Sequence, residues 1–182
     1  MPSKQRILLT LAVLVLVLGG LYLFITLSTA KYKQAPEAPV TSYKDGVYTI
    51  DGKDVQLLNG TSEVEAAPGS AVKIKTAYVG NEATGDLNGD GKEDIAFIIS
   101  QNKGGAATMY YLVAAFKTDT LYSGTNAILL GDRIAPDSVS IQGGTILAKY
   151  KGRNTWEAPT VNPTIPLTTR VKIVEGQLVV TK

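Results

Sequence analysis

Cysteine and histidine are both absent from this chain of 182 residues. The lack of cysteine excludes disulfides, thiol nucleophiles and thiolate metal sites. The lack of histidine excludes the usual acid–base residue near neutral pH and a common ligand of zinc and haem iron. Any chemistry must therefore use carboxylates, Lys, Ser, Thr or Tyr, and any metal ion must bind mainly to oxygen.

The chain also has almost no net charge beyond its amino terminus. All 16 Asp and Glu residues follow residue 30, and Lys4 and Arg6 account for the formal net charge of +2. The remainder is close to neutral overall, which implies no basic surface and argues against nucleic acid as a partner. The chain also lacks a phosphate-binding Gly-Lys-Ser/Thr loop and a dinucleotide fingerprint.

One long apolar run, Ile7 to Leu27, contains no charged residue. As a helix it would measure about 31 Å, close to the roughly 30 Å hydrocarbon core of a bilayer. We therefore predict a transmembrane signal anchor at 7–27, with residues 1–6 in the cytoplasm. A secretory signal cleaved after Ala30 is the alternative, but such signals have a shorter apolar stretch of about 7–15 residues. A buried core helix is a third interpretation.

The orientation of this anchor rests on weaker evidence. Lys31 and Lys33 nearly balance the two cations that precede the run, so the positive-inside signal is small. A leader of this length is typical of export, and weak calcium loops are most useful where calcium is millimolar. We predict a tether at 28–42, which contains two prolines, and an extracytoplasmic domain at 43–182 in the cell envelope.

The domain has the pattern of β-strands. Turn signals lie at Asp51-Gly52, Gly143-Gly144 and Glu175-Gly176, each between strand-like runs. Residues 71–79 alternate between apolar and basic side chains, which indicates a half-buried strand. One short helix near 132–138 is a weaker expectation. The fold predicted is mainly β: one antiparallel β-sandwich or partly open barrel, preceded by the transmembrane helix.

Two almost wholly apolar runs, Ile95–Ile99 and Met109–Phe116, predict a central hairpin packed on both faces. An acidic loop precedes this hairpin. Side-chain oxygens occur at its positions 1, 3, 5 and 9, a spacing that allows a short loop to surround a hard cation such as Ca²⁺. The backbone carbonyl at position 7 would add a further ligand. The predicted ligands are Asp86, Asn88, Asp90, Lys92 and Asp94.

Two other interpretations of this loop remain open. It is either a plain acidic turn whose side chains face solvent, or a site for Mg²⁺ or another cation. The three carboxylates among the predicted ligands repel one another in a plain turn, which favours the calcium site. An EF-hand would need a bidentate glutamate at position 12, where this chain has Phe97.

The segment Gly85–Phe97 resembles the calcium loop of FG-GAP and VCBS repeats, which joins two strands. A propeller needs several such blades and this chain has one loop, so the resemblance implies the loop chemistry alone. Residues 59–136 are also similar to small uncharacterised exported or membrane-anchored proteins of bacteria. The shared blocks are Ser62–Ser70, Gly124–Ala127 and Leu130–Ile134. That resemblance implies bacterial export and no known activity.

These observations predict a non-catalytic calcium-binding module, tethered through Ile7–Leu27, with a structural or binding role toward an envelope protein or glycan. The alternative is a carboxylate- or calcium-assisted hydrolase of envelope glycan or phosphate esters, with Asp132 as its first candidate acid. A calcium sensor for a partner protein is a third possibility. A pocket joining Asp132 to the loop would distinguish the hydrolase from the module.

Overall fold

The structure, a computed structural model, describes residues 40–181. The predicted anchor at 7–27, the alternative cleavage site after Ala30 and nearly all of the tether lie outside these residues. Within the described part, no helix is long and apolar enough to cross a membrane.

The described chain is mainly β, as predicted, with one short 3₁₀ turn at Tyr43–Asp45. Its named strand pairs are all antiparallel. The strands are β1 Val47–Ile50, β2 Lys53–Gln56, β3 Thr61–Glu65, β4 Lys73–Gly85, β5 Asp94–Asn102, β6 Met109–Lys117, β7 Tyr122–Gly124, β8 Ile128–Asp132, β9 Ala135–Gln142, β10 Thr145–Gly152, β11 Ile165–Val174 and β12 Gln177–Thr181.

These strands form three sheets. The largest has six strands in the order β3-β4-β5-β6-β7, with β8 also pairing with β6. The second has four strands in the order β12-β11-β10-β9, and the third is the β1-β2 hairpin. The turns at 51–52, 143–144 and 175–176 join β1 to β2, β9 to β10 and β11 to β12, which confirms all three predicted hairpins.

The six-stranded sheet lies between two apolar clusters. Because successive residues of a strand point to opposite faces, β5 contributes to both. Ala96 and Ile98 pack with Ile146 and Val171 of the four-stranded sheet. On the other face Ile95, Phe97 and Ile99 pack with Tyr48, Ile50 and Leu57 of the β1-β2 hairpin and the residue that follows it. The predicted burial of the central hairpin on both faces is confirmed.

Two local features differ from expectation. The short helix expected near 132–138 is wrong, because Asp132 ends β8, residues 133–134 are not helical and residues 135–142 form β9. Pairing with β10 determines this segment, because tertiary pairing overrides a weak local helix signal. The strand expected at 71–79 continues to Gly85. Gly80 and Asn81, both with positive φ, form an irregularity, and pairing with β5 continues after it.

Candidate functional site

The acidic loop, residues 86–93, connects β4 to β5 and is fixed at both ends. Leu87 points inward and is 6% exposed, as a member of the cluster between the two large sheets. Before it, Gly85 lies so close to β9 that an added Cβ would be 2.8 Å from Cγ2 of Ile141. One apolar side chain and one close backbone approach therefore position the loop against the two large sheets.

Asp86, at position 1, accepts two backbone hydrogen bonds from within the loop. Its Oδ1 accepts from the Gly89 N–H at 2.7 Å, and its Oδ2 accepts from the Gly91 N–H at 3.0 Å. These two bonds lower the pKa of Asp86 below its ordinary value, because they favour the charged carboxylate. Both glycines have φ near +80°, a conformation that side chains rarely adopt.

Asn88 and Asp90, at positions 3 and 5, follow the same pattern. The Asn88 Oδ1 accepts from the Asp90 N–H at 3.0 Å, and the Asp90 Oδ1 accepts from the Lys92 N–H at 2.8 Å. Both side chains are exposed. The outer part of the loop thus presents three oxygen-bearing side chains to solvent, each oriented by a backbone donor.

Asp94, at position 9, has a different environment. It is 0% exposed and stands at the start of β5. Its Oδ2 accepts from the Leu87 N–H and its Oδ1 accepts from the Lys117 N–H, both at 2.9 Å. This carboxylate therefore joins the beginning of the loop to the end of β6.

The loop's own cation, Lys92, pairs with an acid outside the loop, and the charge of Asp90 also acts on its ammonium group. Its Nζ lies 2.8 Å from Oδ1 of Asp119, in the loop after β6. This ion pair raises the pKa of Lys92 and lowers that of Asp119, because each charge stabilises the other. Among residues 40–181, Asp86 and Asp90 form no ion pair.

The donor chemistry of these residues fits a hard cation. A carboxylate has about four lone-pair sites, so an oxygen that accepts one N–H retains capacity for a metal ion. As placed, however, the described chain contains no group of three acidic side chains close enough to hold a metal together. Binding would therefore require the exposed side chains of Asp86, Asn88 and Asp90 to turn toward one another.

Asp132 lies at the opposite end of the six-stranded sheet. It pairs with Met109 at the start of β6, whereas the acidic loop adjoins Lys117 at the end of that strand. Eight residues of strand span about 26 Å. The Arg133 guanidinium and the Thr108 N–H both bind its carboxylate, and this lowers the pKa of Asp132. The sheet does not bring this acid to the loop.

Two partners of the loop, Lys117 and Asp119, were not predicted from the sequence. Lys117 ends β6 and Asp119 follows it, more than twenty residues along the chain from the loop, and only the pairing of β5 with β6 brings them beside the loop. No local signal marks them. A comparison with known family models, curated proteins and solved structures finds no match to this chain.

Proposed function

We propose that this chain is a membrane-tethered extracytoplasmic module whose β domain is non-catalytic and is stabilised by calcium at the acidic loop. Asp86, Asn88 and Asp90 would supply side-chain oxygens, and Lys92 its backbone carbonyl. Calcium would supply charge neutralisation and cross-linking of the loop, with no reaction step. The predicted helix at 7–27 would hold the module at the envelope.

One observation carries the calcium proposal. The exposed carboxylates of Asp86 and Asp90 lie in one short loop, and neither forms an ion pair within the described chain. The only ammonium group in this loop is committed to Asp119. Two nearby carboxylates repel each other, and a divalent cation relieves that repulsion. A self-contained acidic turn is the competing interpretation, since backbone N–H groups already bind both oxygens of Asp86 and one oxygen each of Asn88 and Asp90.

Asp94 supports a structural role for such a site. Because its carboxylate joins the loop to the end of β6, a cation that fixes the loop also fixes the junction of β4, β5 and β6. Its remaining lone pairs could contribute a ligand directly or through water. The distance between Asp132 and the loop favours this module over the hydrolase alternative.

Thermal unfolding with calcium, with magnesium and with a chelator tests the proposal. Calcium at about 100 times its dissociation constant adds roughly 2.7 kcal/mol to the free energy of unfolding. For a domain of this size, that corresponds to a rise of about 8 °C in Tm. Asp90→Ala should abolish the rise, whereas Glu93→Ala, which removes an exposed carboxylate of the same loop outside the ligand set, should retain it.

The same experiment separates the competing interpretations of the loop. An acidic turn without a metal predicts no calcium-specific change in either variant or in the original chain. An equal shift with magnesium would assign the site to hard divalent cations in general. A calcium shift that persists in Asp90→Ala would contradict the ligand set.

A further inference from the structure

The four-stranded sheet has one buried face and one face turned to solvent. Along β10, Ile146 and Ala148 point into the core between the sheets, and Val171 of β11 does the same. The residues between them must therefore point outward, because strand side chains alternate between faces. Thr145, Leu147, Lys149 and Lys151 of β10 share that outer face with their cross-strand partners Lys172, Arg170, Thr168 and Pro166.

Four of these outward residues are cations, and all four are exposed. We call Lys149, Lys151, Arg170 and Lys172 the basic face. Lys149 opposes Thr168, so Arg170 is its diagonal neighbour on the adjacent strand, at about 7–8 Å. The register thus arranges the four charges as one continuous patch across β10 and β11.

Anionic side chains are scarce around this patch. The strands of this sheet contain one acidic residue, Asp137, which lies at the irregularity of β9. Glu175 lies beyond the strands, in the turn between β11 and β12. Within residues 40–181, none of the four cations takes part in an ion pair. Like charges this close repel one another, and an external anionic surface relieves the repulsion.

We propose that the basic face docks on the anionic headgroups of the membrane to which the chain is tethered. This inference rests on the anchor in the proposed function. The thirteen residues from the end of the predicted span to Val40 reach at most about 45 Å. A domain of about 140 residues has a radius of gyration of about 14 Å. The domain therefore stays within reach of the bilayer, which is the nearest extended anionic surface.

The character of the face fits this occupant. The cations stand on a sheet rather than in a cleft, so they can approach an extended surface together. Leu147 and Val179 lie among them on the same face, and Val179 is 41% exposed. Long basic side chains with apolar neighbours are typical of contacts with the headgroup layer.

The test uses the full chain in lipid nanodiscs, and the absence of cysteine allows one specific label. A fluorophore at Ser138→Cys, opposite Lys149, reports on the basic face, and a fluorophore at Ser62→Cys in β3 serves as the comparison. Discs contain a headgroup-spin-labelled lipid as quencher, in either phosphatidylglycerol or phosphatidylcholine. We expect stronger quenching at position 138 in anionic discs, little difference at position 62, and loss of the effect in 1 M salt.

Neutralising the patch should remove the effect. Each cation near an anionic surface strengthens binding about fivefold, so Lys149→Gln, Lys151→Gln, Arg170→Gln and Lys172→Gln together should reduce docking by more than tenfold. A matched variant with the same charge change elsewhere carries Lys53→Gln, Lys73→Gln, Lys75→Gln and Lys103→Gln. Its fluorophore at position 138 should be quenched as strongly as in the original chain. This result would separate the effect of the basic face from the effect of net charge.

Three results would overturn the inference. A chain that enters the discs but shows no dependence on lipid charge overturns it and leaves the anchor intact. A chain that does not copurify with the discs overturns the anchor and the inference together. Binding of inorganic polyphosphate to the basic face, without any response to anionic discs, would assign the patch to a soluble polyanion instead.

Discussion

The acidic loop and the basic face carry opposite charges and are built in opposite ways. The loop gathers its charged side chains within nine consecutive residues and orients them with backbone hydrogen bonds. The basic face gathers four cations from two strands that are joined by a long connection, and among residues 40–181 no hydrogen bond between side chains orders them. Although the chain's positive and negative charges nearly balance, some of them collect in two separate regions, the acidic loop and the basic face.

This difference predicts how each region responds to substitution. At the loop, the buried Asp94 has an individual structural task, so a single change there should have a large effect. On the basic face the electrostatic potential is the sum of the contributions of four cations. Only combined substitutions of these cations should therefore have a clear effect. The following experiments test that contrast.

The largest effect is expected at Asp94. Asp94→Ala leaves the N–H groups of Leu87 and Lys117 without their acceptor in a buried site. Each unsatisfied donor costs about 1–3 kcal/mol, so the free energy of unfolding should fall by roughly 2–6 kcal/mol in urea titrations with chelator present. Asp90→Ala is the exposed control and should change it by less than about 0.5 kcal/mol. Equal effects of the two substitutions would show that the Asp94 carboxylate does not hold the loop to the end of β6.

A smaller effect is expected where the loop joins β4. Gly85→Ala places a Cβ 2.8 Å from Ile141, which must shift within a packed interior. Such overpacking costs about 1–3 kcal/mol. Gly105→Ala is the control, because an added Cβ there meets nothing within 4 Å. A neutral Gly85→Ala in thermal unfolding would mean that β9 can move away from the loop.

The loop and the hairpins were accessible from sequence because their signals are local. Turn pairs such as Asp51-Gly52 and apolar runs such as Ile95–Ile99 determine structure within a few residues. The oxygen-bearing side chains of Asp86, Asn88 and Asp90 are likewise identified by spacing, and their binding of calcium stays a prediction. Asp94 shows the limit of that reasoning, since only the neighbouring end of β6 reveals that its oxygens bind backbone N–H groups.

The basic face was not accessible from sequence. The near-zero net charge argued against a basic surface. That expectation is wrong, because net charge carries no information on where the charged residues lie in the fold. Lys149 and Arg170 become neighbours only through the register of β10 with β11, which the intervening proline-containing connection does not encode. Likewise, β9 is a strand because β10 pairs with it, although residues 132–138 alone left a helix open.

A third prediction concerns pH and the loop. The pKa of Asp86 is lowered in the folded state by the Gly89 and Gly91 N–H groups, so its charged form stabilises the fold. That contribution is present above the unfolded pKa, near 3.9, and is lost as the pH falls through the folded value. With chelator present, Asp86→Asn should be less stable than the original chain near neutral pH, and the difference should disappear in acid. A constant difference across this range would contradict the role of the charge.

The smallest effect is expected on the basic face itself. Changing Lys149 or Lys172 alone to Gln should alter the free energy of unfolding by no more than about 0.5 kcal/mol, since both side chains are exposed and form no ion pair within the described chain. All four substitutions together should raise stability slightly at low salt by removing mutual repulsion. The gain should vanish at 1 M salt, where the Debye length is about 3 Å. Marked destabilisation by a single change would instead mean that the aliphatic stems of these residues pack against the sheet. The patch would then belong to the fold, and its similarity to a binding surface would be incidental.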